Sequence, residues 1–220
     1  MMFFFDLDGP ILDVSEKYYQ AYSYSLQELN CTALPKDDYW KFKRLRVPDY
    51  EILSKTDSEH LLAEYKTRRN ELIEKKEMLA YDCVWTELRK TYDSLFNEFP
   101  AILVTLRTEP EMVNWQLRDL NIDTWFKSII SRPSTGISKD RWKIKVDAIK
   151  ALDLSKSIDI QECVFVGDTE TDIVAGKQLG MKTVGVTFGI RDKKLLSPLK
   201  PEILVDNPSD LAVHLKETYL

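Results

Sequence analysis

Residues 3–9 read Phe-Phe-Phe-Asp-Leu-Asp-Gly, and this stretch decides the fold. Three consecutive phenylalanines predict a short strand that is buried on both of its faces. Two carboxylates follow at once, Asp6 and Asp8, although like charges repel and are costly to bury without compensation. A cation bound between them would remove the conflict. The stretch therefore predicts a buried strand that ends at a functional site.

The rest of the chain indicates how this strand is used. From residue 99 onward, short apolar runs alternate with segments of helical pattern, which predicts a parallel sheet covered by helices on both faces. The segment before it, residues 14–98, is polar and reads as helical. We therefore expect an α/β fold with a Rossmann-like parallel sheet core, residues 1–13 and 99–220, and an inserted α-helical cap domain, residues 14–98. The expected strands are residues 2–6, 101–105, 128–131, 163–167, 183–187 and 202–205.

Composition narrows the class of protein. The chain is 44% hydrophobic and 30% charged, which is ordinary for a globular domain. A net charge of −5 gives no general attraction to nucleic acid or to an anionic membrane. The three cysteines are widely spaced and include no CxxC pair, so we expect neither a disulfide framework nor a zinc site. With no leader or membrane-spanning run in view, we expect a cytoplasmic protein, monomer or homodimer, without nucleic-acid or membrane partners.

Acidic residues follow two of the predicted core strands. Asp6 and Asp8 follow the first strand, and Asp168 and Asp172 follow the strand at residues 163–167. Because parallel strands end at one edge of the sheet, where α/β proteins bind ligands, we expect these carboxylates to meet there. A site made of oxygen ligands, with no His or Cys, favours Mg²⁺.

A hydroxyl and several lysines are expected at the same edge. Thr105 ends the strand at residues 101–105, and the basic run that holds Lys139, Lys143 and Lys145 precedes the helix after the strand at 128–131. A hydroxyl and an ammonium group at this edge could hold the oxygens of a phosphoryl group.

The order of these residues resembles the haloacid dehalogenase (HAD) superfamily of phosphatases. Residues 6–13 match the pattern DxDGxxxD, Thr105 ends an apolar strand, and residues 167–172 match GDxxxD. The family's lysine has no strong flanking signature and commonly lies some two dozen residues before the aspartate of the last motif. Lys143 and Lys145 both lie at roughly that distance from Asp168, and Lys139 lies further away. We choose Lys143.

The resemblance implies a role for each matching residue. Asp6 would be the nucleophile that forms an aspartyl-phosphate, and Asp8 would be the general acid and then the general base. Thr105 and Lys143 would bind the phosphoryl group, and Gly9, a candidate substrate-binding residue, would let the chain turn at the site. The implied ligands of Mg²⁺ are Asp6, Asp8 through its backbone carbonyl, Asp168 and Asp172.

Two arginines are candidates for binding the substrate. Arg107 lies two residues after Thr105, where it could grip a second anionic group of the substrate or be an exposed loop residue. Arg46 belongs to a basic run in the predicted cap. Either Arg46 or Lys43 could reach over the site to bind the substrate's anion, or the run could lie on a solvated face.

The resemblance implies Mg²⁺-dependent hydrolysis of a small phosphomonoester. A carboxylate at Asp8 indicates a phosphatase or a phosphomutase, because haloacid dehalogenases carry an aromatic residue there and phosphonatases a small one. A cap that closes over the site disfavours macromolecules, so the expected partner is a small phosphorylated metabolite: a sugar phosphate, a phosphoglycolate-like acid or a nucleotide monophosphate. The alternatives are phosphoryl transfer between substrates, as in the related mutases, and a non-catalytic binding protein on the same fold.

Overall fold

A computed structural model describes residues 1–99, 101–131, 140–152 and 159–219. The chain forms two compact units. One consists of Met1–Asp13 and Val84–Leu220 and is called the core unit below; the other, Val14–Cys83, is called the helical unit. The predicted α/β fold with an inserted helical region is confirmed.

The core unit contains the sheet, and helices occur in both units. The strands are β1 (Phe3–Phe5), β2 (Leu12–Asp13), β3 (Cys83–Val84), β4 (Ala101–Val104), β5 (Phe126–Ile130), β6 (Val164–Gly167), β7 (Lys182–Val186) and β8 (Ile203–Val205). The α-helices are α1 (Ser15–Gln27), α2 (Lys36–Arg44), α3 (Asp49–Leu53), α4 (Leu62–Leu72), α5 (Lys76–Leu79), α6 (Thr86–Glu98), α7 (Pro110–Asp119), α8 (Arg141–Lys150), α9 (Glu170–Gln178), α10 (Lys193–Leu196) and α11 (Pro208–Tyr219). In the described part of the chain, no helix has the length and apolar character that crossing a membrane requires.

The main sheet has six parallel strands in the order β5-β4-β1-β6-β7-β8. Each of the six predicted strands has a counterpart in it, with ends displaced by at most two residues. Strand β1 is central, with Phe4 paired to Ile102 on one side and to Phe165 on the other. The short strands β2 and β3 form a separate two-stranded sheet.

The three phenylalanines of β1 fill both faces of the sheet, because successive side chains of a strand point to opposite sides. Phe4 packs on one face with Phe165, at 6.4 Å between ring centroids. Phe5 packs on the other face against two rings of α6, Tyr92 at 5.6 Å and Phe96 at 5.3 Å. All three phenylalanines are fully buried, as predicted for a strand covered on both faces.

The helical insertion ends earlier in the structure than the sequence suggested. We expected residues 14–98 in the cap, but α6 belongs to the core unit, and the second boundary lies between Cys83 and Val84. The physical reason is the apolar stripe of α6, which carries Tyr92 and Phe96 and is buried against β1. An amphipathic stripe has the same appearance whichever sheet or helix it covers.

The helical unit, considered by itself, has an aromatic core. Tyr22 and Tyr39 stack at 4.2 Å with an interplanar angle of 11°, and Tyr65 meets Tyr22 edge-on at 6.1 Å. Lys17 and Asp82 form a buried ion pair of 2.8 Å. The tyrosine stripes of this segment are therefore core residues.

Candidate active site

The acidic residues follow the carboxyl ends of two adjacent central strands. The backbone N–H of Asp6 donates to the carbonyl of Val166 at 3.0 Å. This bond continues the pairing of β1 with β6 and fixes the position of Asp6 at the end of the strand. Asp168 follows β6 directly. The register of β1 with β6 therefore brings Asp6 and Asp168 to the same edge of the sheet.

Three buried carboxylates form a cluster. Asp6, Asp168 and Asp172 each offer an oxygen, and these oxygens lie within 4.8 Å of one another. Asp168 and Asp172 are fully buried and Asp6 is 9% exposed. One oxygen of Asp168, Oδ1, is buried and has no hydrogen-bond partner among the residues that the structure describes, whereas Oδ2 accepts from the backbone N–H of Ile190. A buried carboxylate oxygen without a donor, beside two more carboxylates, fits a hard divalent cation such as Mg²⁺.

The ionisation of the cluster reflects this arrangement. Burial raises the pKa of Asp6 to about 7; the positive charge of Lys145 opposes the rise, and the charges of Asp172 and Asp8 add to it. Burial also holds the pKa of Asp168 well above its ordinary value, with further repulsion from Asp172 and Asp6. Both carboxyls therefore hold a proton more readily than a free aspartate, and a further cation in the cluster would oppose this.

The side chain of Asp168 packs closely against two glycines, Gly9 and Gly189. A Cβ atom on Gly9 would lie 2.0 Å from Oδ2 of Asp168, and one on Gly189 would lie 2.2 Å from the same atom. Gly9 also has a φ angle of 107°, which L side chains rarely adopt. The expected turn at Gly9 is present, and only glycine leaves room for the Asp168 side chain at both positions.

The lysine at the site is Lys145. Its Nζ lies 2.9 Å from Asp6 Oδ1 and 2.6 Å from Asp172 Oδ1, and it donates to the carbonyl of Val104 at 3.0 Å. Burial opposes its charge, but Asp172 and Asp6 together outweigh that effect and raise the pKa of the ammonium group. Lys145 is therefore a buried cation that bridges two of the three clustered carboxylates.

The choice of Lys143 was wrong. Its Nζ pairs with Asp140 at 2.7 Å, and its side chain is 48% exposed. Helix α8 turns Lys145 and Ile149, four residues apart, toward the interior and Lys143 toward solvent. The third candidate, Lys139, lies outside the described residues.

Asp172 is held from two sides. Its Oδ2 accepts hydrogen bonds from the backbone N–H and hydroxyl of Thr169, at 2.9 and 2.7 Å, and these bonds cap helix α9. Its Oδ1 accepts from Lys145. The carboxylate therefore orients Lys145 and, through it, Asp6.

Thr105 continues strand β4 into the site. Its backbone N–H donates to the carbonyl of Ile130 at 2.9 Å, and the residue is 3% exposed. Its hydroxyl oxygen accepts from the backbone N–H of Arg107 at 3.3 Å. Thr105 therefore begins a tight turn that fixes Arg107.

Arg107 is buried and pairs with Asp8. Its Nη2 donates to Oδ1 of Asp8 and its Nε to Oδ2 at 3.4 Å. Its Nη1 donates to Oε1 of Gln116, on helix α7. With a side chain only 6% exposed, Arg107 is not the exposed loop residue that we considered as one alternative.

Trp85 supports the loop that carries Asp8. Its indole N–H donates to the carbonyl of Gly9 at 2.7 Å, and its ring meets Phe188 edge-on at 5.3 Å. Nothing in the local sequence pattern distinguishes Trp85 or Gln116 from ordinary helix residues, so sequence reasoning missed both.

Arg46 belongs to the helical unit. It follows helix α2, is exposed and has a left-handed φ angle of 58°. A contact between Arg46 and a substrate stays a prediction.

Comparisons with known proteins show the family to which the chain belongs. Residues 1–180 match the model of the family described as haloacid dehalogenase-like hydrolase. The pyrophosphatase PpaX of Bacillus velezensis is 26% identical over 215 residues, which cover 94% of this chain and 92% of that protein. The PpaX of Bacillus anthracis is 24% identical over 218 residues, covering 97% and 95%.

Solved structures share the fold over nearly the whole chain. A haloacid dehalogenase-like family hydrolase from Streptococcus pneumoniae superposes with a TM-score of 0.75 at 17% identity, covering 97% of both chains. A protein from Clostridium acetobutylicum, titled a predicted phosphatase, gives a TM-score of 0.74 at 19% identity, covering 98% of both. At these identities the likeness supports the fold, including the inserted helical region.

Proposed function

Because the chain belongs to the haloacid dehalogenase-like hydrolases, we propose that it is a Mg²⁺-dependent phosphatase that hydrolyses a small phosphomonoester through an aspartyl-phosphate. One observation carries this proposal: Asp6, at the end of the central strand, is paired with a buried lysine inside a cluster of buried carboxylates. A carboxylate can attack an anionic phosphate only where positive charge is concentrated.

Asp6 is the nucleophile in this proposal. One of its carboxylate oxygens forms a bond to phosphorus while the bond from phosphorus to the leaving oxygen breaks. Asp8, two residues along the same loop, gives its proton to the leaving oxygen. Asp8 then takes a proton from water, which attacks phosphorus and returns Asp6 and inorganic phosphate.

The acidic cluster would hold the cation. Asp6, Asp168 and Asp172, with the backbone carbonyl of Asp8, are the proposed ligands, and the unpartnered Oδ1 of Asp168 supports this choice. When bound, Mg²⁺ supplies positive charge against which two anions can approach each other.

Lys145 takes the place that we first gave to Lys143. Fixed by Asp172, it presents its ammonium group to Asp6 and stabilises the charge on the phosphoryl oxygens. Thr105 donates its hydroxyl to the same group, and Gly9, which leaves room for the Asp168 side chain, stays a candidate for binding the substrate. Arg107 and Arg46 stay candidates for binding the rest of the substrate.

Phosphate release tests the proposal. A panel of small phosphate compounds, including pyrophosphate because the relative from Bacillus velezensis is a pyrophosphatase, is assayed with Mg²⁺ and with a chelator. The variant Asp6→Asn is run beside Asp119→Asn, an exposed aspartate on α7 that serves as a matched control. We expect release that needs Mg²⁺, is lost in Asp6→Asn and is retained in Asp119→Asn.

Two results would contradict the proposal. Full activity of folded Asp6→Asn would exclude the aspartyl-phosphate route. Phosphorylation of Asp6 without release to water, with transfer to a second substrate instead, would favour the mutase alternative.

A further inference from the structure

We propose that Arg107, held in place by Gln116, makes the site selective for phosphate substrates whose leaving group carries its own oxyanion, a carboxylate or a second phosphoryl group. The inference rests on the proposed function, because it concerns the leaving group of that same reaction. It narrows the substrate class from small phosphomonoesters in general to those with an acidic leaving group.

Arg107 binds a planar anion through two nitrogens, Nη2 and Nε, which are called the fork below. Its Nη2 and Nε donate to the two oxygens of the Asp8 carboxylate, one nitrogen to each oxygen. Two parallel N–H donors of a guanidinium match the two oxygens of a carboxylate or phosphoryl group. The structure therefore contains a preformed two-oxygen binding fork, which Asp8 occupies.

Gln116 orients this fork without neutralising it. Its side-chain carbonyl accepts from Nη1 of Arg107, and the residue is 1% exposed. An amide has no charge, so it fixes the plane of the guanidinium and leaves its positive charge intact. The backbone N–H of Arg107, bonded to the Thr105 hydroxyl, fixes the other end of the residue.

The fork lies where the leaving group must arrive. In the proposed reaction Asp8 gives a proton to the leaving oxygen, so that oxygen comes within hydrogen-bond distance of the Asp8 carboxyl. Arg107 is bonded to the same carboxyl. Lys145 does not serve this position, because its ammonium group bridges Asp6, the proposed nucleophile, and Asp172, a proposed ligand of the cation.

An acidic leaving group can therefore exchange with Asp8 on the fork. Its carboxylate or phosphoryl oxygens accept from Nη2 and Nε, and Asp8 is released to turn toward the leaving oxygen. A neutral leaving group offers the fork nothing, so Arg107 stays on Asp8. A site built to hydrogen-bond one group discriminates strongly against an analogue that lacks it.

A pair of matched substrates tests this selectivity. Phosphoglycolate and ethyl phosphate have the same length and differ by a carboxylate in place of a methyl group, and pyrophosphate provides the phosphoryl arm. kcat/KM is measured for each with the wild type, Arg107→Gln, Arg107→Lys and the control Arg118→Gln, an exposed arginine of α7. Circular dichroism and thermal unfolding establish which variants are folded.

We expect the wild type to prefer phosphoglycolate, pyrophosphate or both over ethyl phosphate. Arg107→Gln should reduce that preference about 10- to 100-fold, as expected for the loss of hydrogen bonds to a charged group. Because Arg107 also bonds Asp8, kcat/KM for ethyl phosphate changes too, and the ratio between the acidic and the neutral substrate is the readout. Arg107→Lys should retain part of the preference, and Arg118→Gln all of it. Whichever of the two acidic substrates loses more names the oxyanion that the fork binds.

Equal losses for acidic and neutral substrates would overturn the inference, because Arg107 would then only position Asp8. No loss for any substrate would overturn it too. If Arg107→Gln does not fold, the ratio of kcat/KM for phosphoglycolate to that for ethyl phosphate in Arg107→Lys tests the inference instead. Calorimetric binding of the same compounds to Asp6→Asn separates the two proposals: selective, Arg107-dependent binding without any turnover in the wild type would refute the proposed reaction and retain the inference.

Discussion

Each of the two units buries a lysine, and the two lysines differ in what surrounds them. In the helical unit, Lys17 pairs with Asp82 at 2.8 Å, and both side chains are almost completely buried. In the core unit, Lys145 bridges Asp6 and Asp172, and Asp168 lies in the same cluster. In the helical unit, one lysine neutralises one aspartate, so the pair has a structural role. In the core unit, one lysine faces three carboxylates, and the excess of negative charge favours the binding of a further cation.

The largest effect that would sharpen this comparison is on turnover. Lys145→Met should lower kcat about 10²- to 10³-fold, because it removes a fixed donor at the proposed phosphoryl site. Lys143→Met should leave kcat within a few-fold of the wild type, because its half-exposed ammonium group pairs with Asp140, an exposed aspartate outside the cluster. Steady-state kinetics on the best substrate of the panel would check both variants. An equal loss of kcat in the two variants would contradict the assignment of Lys145 as the lysine of the active site.

The matched pair of the helical unit should respond in stability. Lys17→Met should lower the free energy of unfolding by about 3–5 kcal/mol, because it leaves Asp82 as a buried charge without its lysine. The double variant Lys17→Met with Asp82→Leu should recover most of the loss, since an apolar pair of similar volume can replace a buried ion pair. Urea unfolding of both variants measures this. A double variant as unstable as the single one would contradict the structural role.

The unmatched cluster should make stability depend on pH and Mg²⁺ together. The folded pKa of Asp6 is about 7 against an ordinary 3.8, and that of Asp168 is also raised. The folded protein thus keeps protons that the unfolded chain loses, so this contribution is complete below about pH 4 and disappears as the pH rises through 7. Mg²⁺ replaces those protons and should therefore stabilise the fold more at pH 8 than at pH 5.5. At pH 8, a hundredfold excess of Mg²⁺ over its Kd should raise the free energy of unfolding by about 2.7 kcal/mol.

Thermal unfolding with Mg²⁺ or a chelator at the two pH values gives the comparison. Asp168→Asn should show no Mg²⁺ effect at either pH. A Mg²⁺ shift of the same size at both pH values would contradict the proton release.

The smallest change that should disturb the cluster is one methyl group. In Gly189→Ala the new Cβ would lie 2.2 Å from Asp168 Oδ2, so the carboxylate must move and Mg²⁺ should bind more weakly. In Gly180→Ala the nearest atom is 3.8 Å away, although its φ angle of 75° makes a modest loss of stability expected. Mg²⁺ titrations of both variants test this. Unchanged Mg²⁺ affinity in Gly189→Ala would show that the close approach of Gly189 to Asp168 is not needed for Mg²⁺ binding.

The sequence was sufficient for the sheet and its acidic edge because both follow from local patterns. The apolar run of β1 and the carboxylates after it are consecutive in the chain, and the register of a parallel sheet then brings Asp6 and Asp168 together. The lysine was not decidable in this way. Lys143 and Lys145 are two residues apart, and which of them faces inward depends on the phase of α8, which is fixed by packing.

Other features depend on contacts between distant parts of the chain. Helix α6 has an amphipathic pattern that would suit a cap as well as a sheet, and only its rings against Phe5 assign it to the core unit. Gln116 and Trp85 touch the site through single side-chain hydrogen bonds across the fold. No local pattern predicts such a bond, because its partner lies far away in the sequence.

Calorimetric titration of Mg²⁺ into the wild type and into Asp168→Asn tests the central claim most directly. If the unmatched carboxylates form a cation site, the wild type should bind one Mg²⁺ ion and Asp168→Asn none, with both proteins folded. Absence of binding in the wild type, or equal binding in the variant, would contradict the account.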